Sequence, residues 1–247
     1  MSAAPLALVT GGARRLGAAI SARLAAAGYV VAVHASGALP PDPAVAAMLV
    51  QGEHRLFTAD FVHSDAAPAL FDAVTAHYGR APALLVNNAS IFGNDRLGNA
   101  TADELQRHYA VNLIAPVLLT QKIADQAIAG AAVVNIVDQR VAHPHADQAS
   151  YTLAKVALAA LAPMARTGLA GVRVNAVAPG LVLPTPDYQP VQMARLAEAM
   201  PLRALPTPGA IADAVLFLAT QRAISGATLF VDGGAHLVPF NADFVHL

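Results

Sequence analysis

The stretch TGGARRLG at residues 10–17 decides the fold. It directly follows an apolar run, LALV at residues 6–9, and directly precedes a helical pattern over residues 18–27. A strand, a glycine-bearing turn and a helix N-terminus in that order form a phosphate cradle, because the backbone N–H groups of the turn and the helix dipole point at an anion. Dinucleotide-binding turns usually carry a glycine where this sequence has Arg15, which indicates a particular branch of such proteins.

Composition excludes several classes of protein. The 247 residues are 56% hydrophobic and 13% charged, which predicts a single domain over residues 1–247 with a large core. A formal net charge of −1 gives no electrostatic basis for binding nucleic acid or an anionic membrane surface. Cysteine is absent and the nine histidines lack metal-ligand spacing, so we expect no disulfide and no metal site. Without a signal segment or an apolar run of about 18 residues, the sequence predicts a soluble, cytoplasmic protein.

Short apolar runs alternate with longer helical patterns along the chain. Strands are predicted at residues 5–10, 29–34, 54–58, 83–87, 131–137, 172–177 and 227–231, and helices at 15–27, 42–51, 65–78, 102–128, 149–168, 190–199 and 208–220. This alternation predicts an α/β fold: a Rossmann-like, doubly wound parallel sheet of seven strands with helices on both faces. The proline-containing segment at residues 181–190 is either a lid over a substrate or a connector.

The ends of the second and third predicted strands bear on the cofactor, since ligands of open α/β sheets lie at the carboxyl ends of strands. No acidic residue follows strand two to accept a hydrogen bond from the ribose of NAD. His34, Ser36 and the nearby Arg14 suit the 2′-phosphate of NADP better, although His34 could equally be a polar strand end. Asp60, at the end of strand three, could accept from the adenine amino group or cap a turn.

Asparagines mark the fourth strand and the helix after it. Asn87 and Asn88 end an apolar strand, where their side-chain amides can link two strand ends. The small residues after them allow close approach of a sugar or nicotinamide. Asn112 lies among apolar neighbours inside the helical pattern of residues 102–128, which indicates a kink or a bound water. The alternative is a helix-face asparagine turned to solvent.

The residues with the clearest chemistry are Asp138, Tyr151 and Lys155. Tyr151 and Lys155 are four residues apart and share one face of a helix that opens directly after an apolar strand. The sequence has only two lysines, so this pairing is unusual. A neighbouring ammonium favours the phenolate, and we therefore expect Lys155 to lower the pKa of Tyr151. Tyrosine can then act as a general acid while a nicotinamide delivers hydride.

Taken together, these residues resemble the short-chain dehydrogenase/reductase family over essentially the whole chain. The matching positions are residues 10–17, Asp60, residues 87–89, Asn112, Tyr151, Lys155, Pro179, Gly180 and residues 231–234. The resemblance implies a seven-stranded sheet, a nicotinamide cofactor and a homotetramer. It also implies a catalytic set of asparagine, serine, tyrosine and lysine, in which Asn112, Tyr151 and Lys155 would take part.

Departures from the general family pattern resemble one branch, the pteridine reductases and the similar dihydromonapterin or dihydrofolate reductases. Arg15 replaces the middle loop glycine, Asp138 stands where the catalytic serine is expected, and Ser90 replaces a glycine two residues before Phe92. The resemblance implies that Arg15 reaches phosphate and pterin and that Ser90 and Phe92 hold the ring. It further implies that Asp138 and Tyr151 handle the proton.

The chemistry of Asp138 favours the same branch. A ketone under reduction develops negative charge on oxygen, which an ionised carboxylate would repel. The C=N bond of a dihydropterin instead takes a proton on nitrogen, and its ring presents N–H donors to an acceptor. The alternative is that Asp138 only caps the next turn. This branch often has an arginine after the second strand that contacts the 2′-phosphate of NADP. The sequence has Gly37 near that position, so the expected preference for NADP depends on other residues.

The sequence therefore predicts NADPH-dependent reduction of a dihydropterin, with carbonyl reduction or a non-catalytic nucleotide sensor as the alternatives. We expect the cofactor NADP(H) to be bound by Gly11, Arg14, Arg15, Leu16, His34, Ser36, Asp60, Phe61, Asn88, Ala89, Lys155, Pro179, Gly180 and Leu181. We expect the small-molecule substrate to be bound by Arg15, Ser90, Phe92, Asp138, Tyr151 and Leu183. Residues 235–247, which include Phe240 and Phe244, could cover this chain's own site or that of a neighbouring subunit.

Overall fold

Seven parallel strands form one sheet in the computed structural model, which describes residues 4–169, 171–184, 190–240 and 243–244. The strands are β1 (Leu6–Val9), β2 (Val30–Ala35), β3 (Arg55–Thr58), β4 (Leu84–Asn87), β5 (Ala132–Ile136), β6 (Arg173–Pro179) and β7 (Thr228–Val231). Their order is β3-β2-β1-β4-β5-β6-β7, and all six pairings are parallel. The seven predicted strands are confirmed, with ends that differ by one or two residues.

Helices cover both faces of the sheet. They are α1 (Arg15–Ala26), α2 (Pro43–Val50), α3 (Ala66–Tyr78), α4 (Ala102–Tyr109), α5 (Ala115–Asp125), α6 (Ala149–Gly168), α7 (Pro190–Ala199) and α8 (Pro208–Thr220). On one face α1, α2 and α8 pack through buried residues such as Ile20, Val45 and Val215. On the other face α3, α5 and α6 pack through residues such as Phe71 and Leu119. The doubly wound α/β fold is therefore confirmed.

The helical stretch predicted at residues 102–128 is confirmed over Ala102–Asp125, but it is not a uniform α-helix. Helix α4 ends at Tyr109, a π-helical segment runs over Ala110–Ile114, and α5 then continues to Asp125. The break centres on Asn112, which is fully buried. Its Oδ1 accepts from the backbone N–H of Ile91 at 2.9 Å and its Nδ2 donates to the Ile91 carbonyl at 3.0 Å. The π-helical segment is a local irregularity at the place where a kink or a bound water was predicted, and the alternative of a solvent-facing side chain is wrong.

The order of the strands places a crevice at their carboxyl ends. The chain winds outwards in opposite directions from β1 and β4, so the loops after these two strands separate at that edge. Residues 10–17 follow β1, and Asn88 follows β4. In the described part of the chain, no helix could cross a membrane and no cluster of three His, Asp or Glu side chains could hold a metal ion.

Candidate active site

Glycines let three pieces of backbone meet beside residues 10–17. Gly11 has a φ of +59°, and a Cβ on it would lie 2.9 Å from the Cα of Ala89. A Cβ on Gly17 would lie 2.0 Å from the carbonyl oxygen of Gly11. Helix α1 then starts after Arg14 without a side-chain cap. The loop therefore brings backbone and an uncapped helix N-terminus to one point, as a phosphate cradle requires.

A cavity of about 500 Å³ lies beside this loop and is called the loop cavity below. Its lining includes ten of the residues predicted to bind the cofactor: Gly11, Arg14, Arg15, Leu16, His34, Ser36, Asp60, Phe61, Asn88 and Ala89. The exposed Arg107 also lines this cavity and was not predicted. Asp60 accepts from the backbone N–H of Val62 at 3.1 Å, so it caps a turn as well as facing the cavity.

His34 has a structural role that differs from the one predicted. Its Nδ1 accepts from the N–H of Gly11 at 3.0 Å, and its Nε2 donates to the carbonyl of Ala59 at 2.8 Å. The ring also stacks on Phe61, with centroids 4.3 Å apart. Burial lowers the pKa of His34. A buried, neutral imidazole with both nitrogens engaged supplies no charge to a 2′-phosphate, so the prediction of that role for His34 is wrong.

Side-chain amides join the strand ends, as predicted for the Asn87–Asn88 pair. Asn87 Nδ2 donates to Asn135 Oδ1 at 2.8 Å and so links β4 to β5. Asn88 Nδ2 donates to the carbonyls of Thr10 and Gly11 at 2.9 and 3.0 Å. These bonds fix the glycine loop against the end of β4, which forms one wall of the loop cavity.

A second cavity, of about 400 Å³, surrounds Tyr151 and is called the tyrosine cavity below. Its lining includes Arg15 again and the remaining residues predicted to bind cofactor or substrate: Ser90, Phe92, Asp138, Tyr151, Lys155, Pro179, Gly180, Leu181 and Leu183. Residues 185–189 of the predicted lid lie outside the described part of the chain. Asn112, predicted to be catalytic, lines neither cavity and instead holds Ile91 behind the loop cavity.

Tyr151, Asp138 and Lys155 meet in the tyrosine cavity. The Tyr151 hydroxyl donates to Asp138 Oδ2 at 2.9 Å. Lys155 Nζ lies 5.6 Å from the centre of the Tyr151 ring and donates to the carbonyl of Ile136 at 2.8 Å. Asp138 Oδ1 accepts from the backbone N–H of Arg140 at 2.9 Å, so this carboxylate does cap the short 3₁₀ turn Gln139–Val141. It also contacts Tyr151, which the capping alternative alone did not anticipate.

Lys155 does not lower the pKa of Tyr151 as expected. Burial raises the pKa of Tyr151 well above its ordinary value, the Asp138 carboxylate raises it further, and the Arg140 guanidinium opposes them. Burial also lowers the pKa of Lys155 to about 8, with partial compensation from Asp138. At neutral pH the phenol is therefore protonated and can donate its proton, while Lys155 still carries charge.

Arg140 belongs to the site and was missed by the sequence analysis. Its side chain is buried, and its Cζ lies 5.2 Å from the centre of the Tyr151 ring and 5.8 Å from that of Phe92. Burial alone would lower the pKa of Arg140, but the charges of Asp138, Tyr151 and Asp243 outweigh burial and raise it. Three residues separate Arg140 from the end of β5, and its place two residues after Asp138 was the one signal in the sequence.

Arg15 lies between the two cavities and lines both of them. Its φ is +54°, in the left-handed region that favours glycine, which explains why a glycine is usual at this place in the loop. Its Nη2 donates to the carbonyl of Pro184 at 3.4 Å. Leu16, Asn88 and Ser90 also line both cavities. The two cavities are therefore neighbouring parts of one site.

The C-terminal segment closes this chain's own site. Asp243 and Phe244 line the tyrosine cavity, and Phe244 packs with Leu196 and Met200. Phe240 meets Phe244 edge to face, with ring centroids 5.1 Å apart. Of the two alternatives for this tail, covering its own site is therefore the one that the structure shows for residues 243–244.

The fold and the Tyr151–Lys155 pair define a nicotinamide-type oxidoreductase site. A family model described as enoyl-(acyl carrier protein) reductase matches residues 11–236, and the chain belongs to the short-chain dehydrogenase/reductase family. Pteridine reductase 1 of Leishmania tarentolae is 33% identical over 95% of this chain and 97% of that protein. The (3R)-3-hydroxyacyl-CoA dehydrogenase of Mus musculus is 32% identical over 93% of this chain and 95% of its own length.

A solved structure extends the comparison. The FolM alternative dihydrofolate reductase 1 of Brucella canis, complexed with NADP, has a TM-score of 0.87 and 34% identity over 96% of each chain. The corresponding Brucella suis structure, also in complex with NADP, has a TM-score of 0.85 and 34% identity. Together with the Leishmania relative, these structures confirm the resemblance to the pteridine reductase-like branch.

Proposed function

We propose that the protein reduces a dihydropterin of the dihydromonapterin, dihydrofolate or dihydrobiopterin type to its tetrahydro form, with NADPH as the hydride donor. The observation that carries this proposal is the 2.9 Å hydrogen bond from the Tyr151 hydroxyl to Asp138. Asp138 takes the place of the serine that family members use to donate to a carbonyl oxygen. Both the Leishmania relative and the Brucella structures support the same substrate class.

The residues present fit a nicotinamide dinucleotide. Gly11 and Gly17 let the backbone of the loop pack closely, and the uncapped N-terminus of α1 lines the loop cavity, where a phosphate would bind. When bound, the cofactor would supply hydride. Arg14 and Ser36 are exposed beside the end of β2, and no acidic residue directly follows this strand to accept from the ribose of NAD. These features favour NADPH over NADH, and the Brucella structures contain NADP.

Around the substrate, each residue has a separate task. Phe92, whose side chain is 53% exposed, presents an aromatic surface on which a flat pterin ring can stack. Tyr151 donates its proton to the ring nitrogen beside the carbon that accepts hydride. Lys155 and Arg140 then stabilise the phenolate, because both cations lie within 6 Å of the Tyr151 ring. Asp138, with a side chain 21% exposed, takes a proton from solvent and returns it to Tyr151.

Carbonyl reduction is the second candidate, and the similarity to (3R)-3-hydroxyacyl-CoA dehydrogenase favours it. In that case Asp138 would face a developing oxyanion and would hinder the reaction. Replacing Asp138 with serine would supply a hydroxyl donor and should raise ketone reduction. If the substrate is a dihydropterin, the same replacement should lower turnover by about 100-fold, since it removes the partner of Tyr151.

The deciding experiment is a panel of dihydropterins, ketones and an acyl thioester with NADPH and with NADH. We expect saturable NADPH oxidation with a dihydropterin, inhibition by an antifolate of the methotrexate type, and a lower rate in Asp138→Ser. Asp138→Asn is the matched control, because it keeps the shape of the side chain and removes its charge. Turnover of ketones or thioesters without dihydropterin turnover would overturn the proposal. Nucleotide binding without turnover on any substrate would favour a non-catalytic sensor.

We further propose that the protein acts as a cytoplasmic homotetramer. Large apolar side chains are exposed on two helices, with Leu153 and Met164 on α6 at 44% and 65% and Phe217 on α8 at 46%. Apolar residues at two separate positions favour two kinds of contact between copies, as a tetramer requires. Light scattering of the purified protein tests this proposal, and a monomer at micromolar concentration would contradict it.

A further inference from the structure

Arg140 connects the catalytic side chains to the C-terminal segment. Its Nε donates to Asp138 Oδ1 at 3.3 Å, and its Nη2 donates to Asp243 Oδ2 at 2.6 Å, although Asp243 lies more than one hundred residues further along the chain. Its Nη1 donates to Gln148 Oε1 at 2.7 Å and to Thr152 Oγ1 at 3.1 Å. One buried guanidinium therefore holds the turn after β5, the start of α6 and the C-terminal segment together.

The two carboxylate oxygens of Asp138 accept hydrogen bonds from different residues. Oδ1 is held by the backbone N–H and the Nε of Arg140, while Oδ2 accepts from Tyr151. A carboxylate held at one oxygen cannot rotate away from the tyrosine. Arg140 thus leaves one oxygen directed at the Tyr151 hydroxyl, where Asp138 can replace the proton that Tyr151 gives to the substrate.

Backbone strain near Arg140 also indicates that this side chain holds its surroundings in place. Gln148, directly before α6, has a φ of +47° and is 3% exposed. A non-glycine residue in the left-handed region is unfavourable, and it persists where its surroundings hold it. Here the side-chain oxygen of Gln148 accepts from Arg140, at the helix end that carries Tyr151.

We propose that Arg140 is a positioning residue, which fixes the Asp138 carboxylate for Tyr151 and couples it to the C-terminal segment through Asp243. The inference rests on the proposed function, because it assigns Tyr151 the role of proton donor. Arg140 contacts both Asp138 and Asp243. The placement of Asp243 and Phe244 at the tyrosine cavity and the alignment of Asp138 with Tyr151 therefore depend on the same side chain.

The charges around Tyr151 predict the direction in which substitution of Arg140 or Asp243 shifts the pKa of Tyr151. Asp138 and Asp243 raise the pKa of Tyr151 and Arg140 lowers it. Lys155 is a second cation beside the ring, and Asp147, paired with His145, accepts from the backbone N–H of Asp243. Arg140→Gln should therefore move the ionisation of Tyr151 to higher pH. Asp243→Asn should move it to lower pH, because the Asp243 carboxylate raises the pKa of Tyr151.

The experiment combines two readouts on Arg140→Gln, Arg140→Lys and Asp243→Asn. In steady-state kinetics we expect kcat to fall by about 100-fold in Arg140→Gln with the NADPH Kd within about threefold of wild type, as for loss of alignment rather than of binding. Arg140→Lys keeps the positive charge but loses the planar guanidinium. We therefore expect the alkaline limb of its pH profile to match that of wild type, and its kcat to lie between those of Arg140→Gln and wild type. Arg222→Gln, an exposed charge-matched control, should change neither quantity.

The second readout does not need a substrate. Tyrosinate absorbance is titrated in each variant, and the Tyr151→Phe titration is subtracted to isolate Tyr151 from the other four of five tyrosines. Opposite shifts in Arg140→Gln and Asp243→Asn support the proposal. An unmoved Tyr151 titration in a folded Asp243→Asn variant overturns it, even if Arg140→Gln fails to fold. Failure of the proposed function is distinguishable, because it would appear in the substrate panel and leave these titrations unchanged.

Discussion

Replacing Arg15 with glycine should make the protein slightly more stable and much less active. Arg15 has a φ of +54°, and a left-handed conformation costs a non-glycine residue about 1–2 kcal/mol. Glycine also loses more chain entropy on folding, which cancels about 0.5–1 kcal/mol of the stability gained by relieving this strain. The backbone N–H of Arg15 keeps its 2.7 Å bond to Asp42, and the lost 3.4 Å bond to Pro184 is exposed and weak. The net gain is about 0.5–1 kcal/mol.

For a chain of this size, that gain raises Tm by roughly 1–4 °C. Activity should fall in the same variant, because the guanidinium lines both cavities. A lost hydrogen bond to a charged group costs about 1.5–3 kcal/mol, or about 10–150-fold in kcat/KM. The assays are thermal unfolding, NADPH fluorescence titration and steady-state dihydropterin reduction.

Two variants act as controls for Arg15→Gly. Arg203 is also exposed with a φ of +51° and lines neither cavity, so Arg203→Gly should raise Tm and leave kcat/KM unchanged. Arg15→Ala keeps the strain and loses the guanidinium, so it should lose activity without the gain in Tm. The reasoning is refuted if Arg15→Gly lowers Tm below that of Arg15→Ala, or if it keeps wild-type kcat/KM.

Three further predictions concern other parts of the site. Tyr151→Phe should lower kcat by about 10²–10⁴-fold with the NADPH Kd nearly unchanged, since it removes only the proton donor; an unchanged kcat would exclude that role. Ser36→Asp should lower the ratio of kcat/KM for NADPH to that for NADH by about tenfold or more through repulsion of the 2′-phosphate, and a constant ratio would contradict the assigned position. Asn112→Ala leaves two backbone groups of Ile91 unpaired and should reduce the free energy of unfolding by about 2–4 kcal/mol in urea, where a change under 1 kcal/mol would refute its role.

Local patterns were sufficient to predict the fold. Parallel strands buried on both faces are continuous apolar runs, so the predicted 29–34 and the observed β2 (Val30–Ala35) differ by one residue at each end. The break at Ala110–Ile114 was anticipated only as a kink, since its geometry depends on hydrogen bonds between Asn112 and Ile91. Contacts between segments distant in sequence leave no periodic signal.

The same limit applied to the site. All the residues predicted to bind cofactor or substrate line at least one of the two cavities, because loops after parallel strands meet at one edge of the sheet. The charge states were harder to predict. His34 is neutral because its ring is buried between Gly11 and Ala59, and Tyr151 stays protonated because burial and the Asp138 carboxylate outweigh the Arg140 guanidinium. Arg140 has a partner in Asp243 that no local pattern reveals.

The π-helical segment between α4 and α5 sets the direction in which the side chains of α5 point relative to those of α4. A π-helical turn closes i→i+5 hydrogen bonds and so holds one residue more than an α-helical turn. Deleting one residue within residues 110–114 would therefore convert the segment to α-helix and leave Leu119 and Ile123, now fully buried, facing the sheet. A deletion inside regular α5, before Leu119, would instead rotate these side chains by roughly 100°, so a deletion scan should show higher expression for deletions at this segment than for deletions within α5.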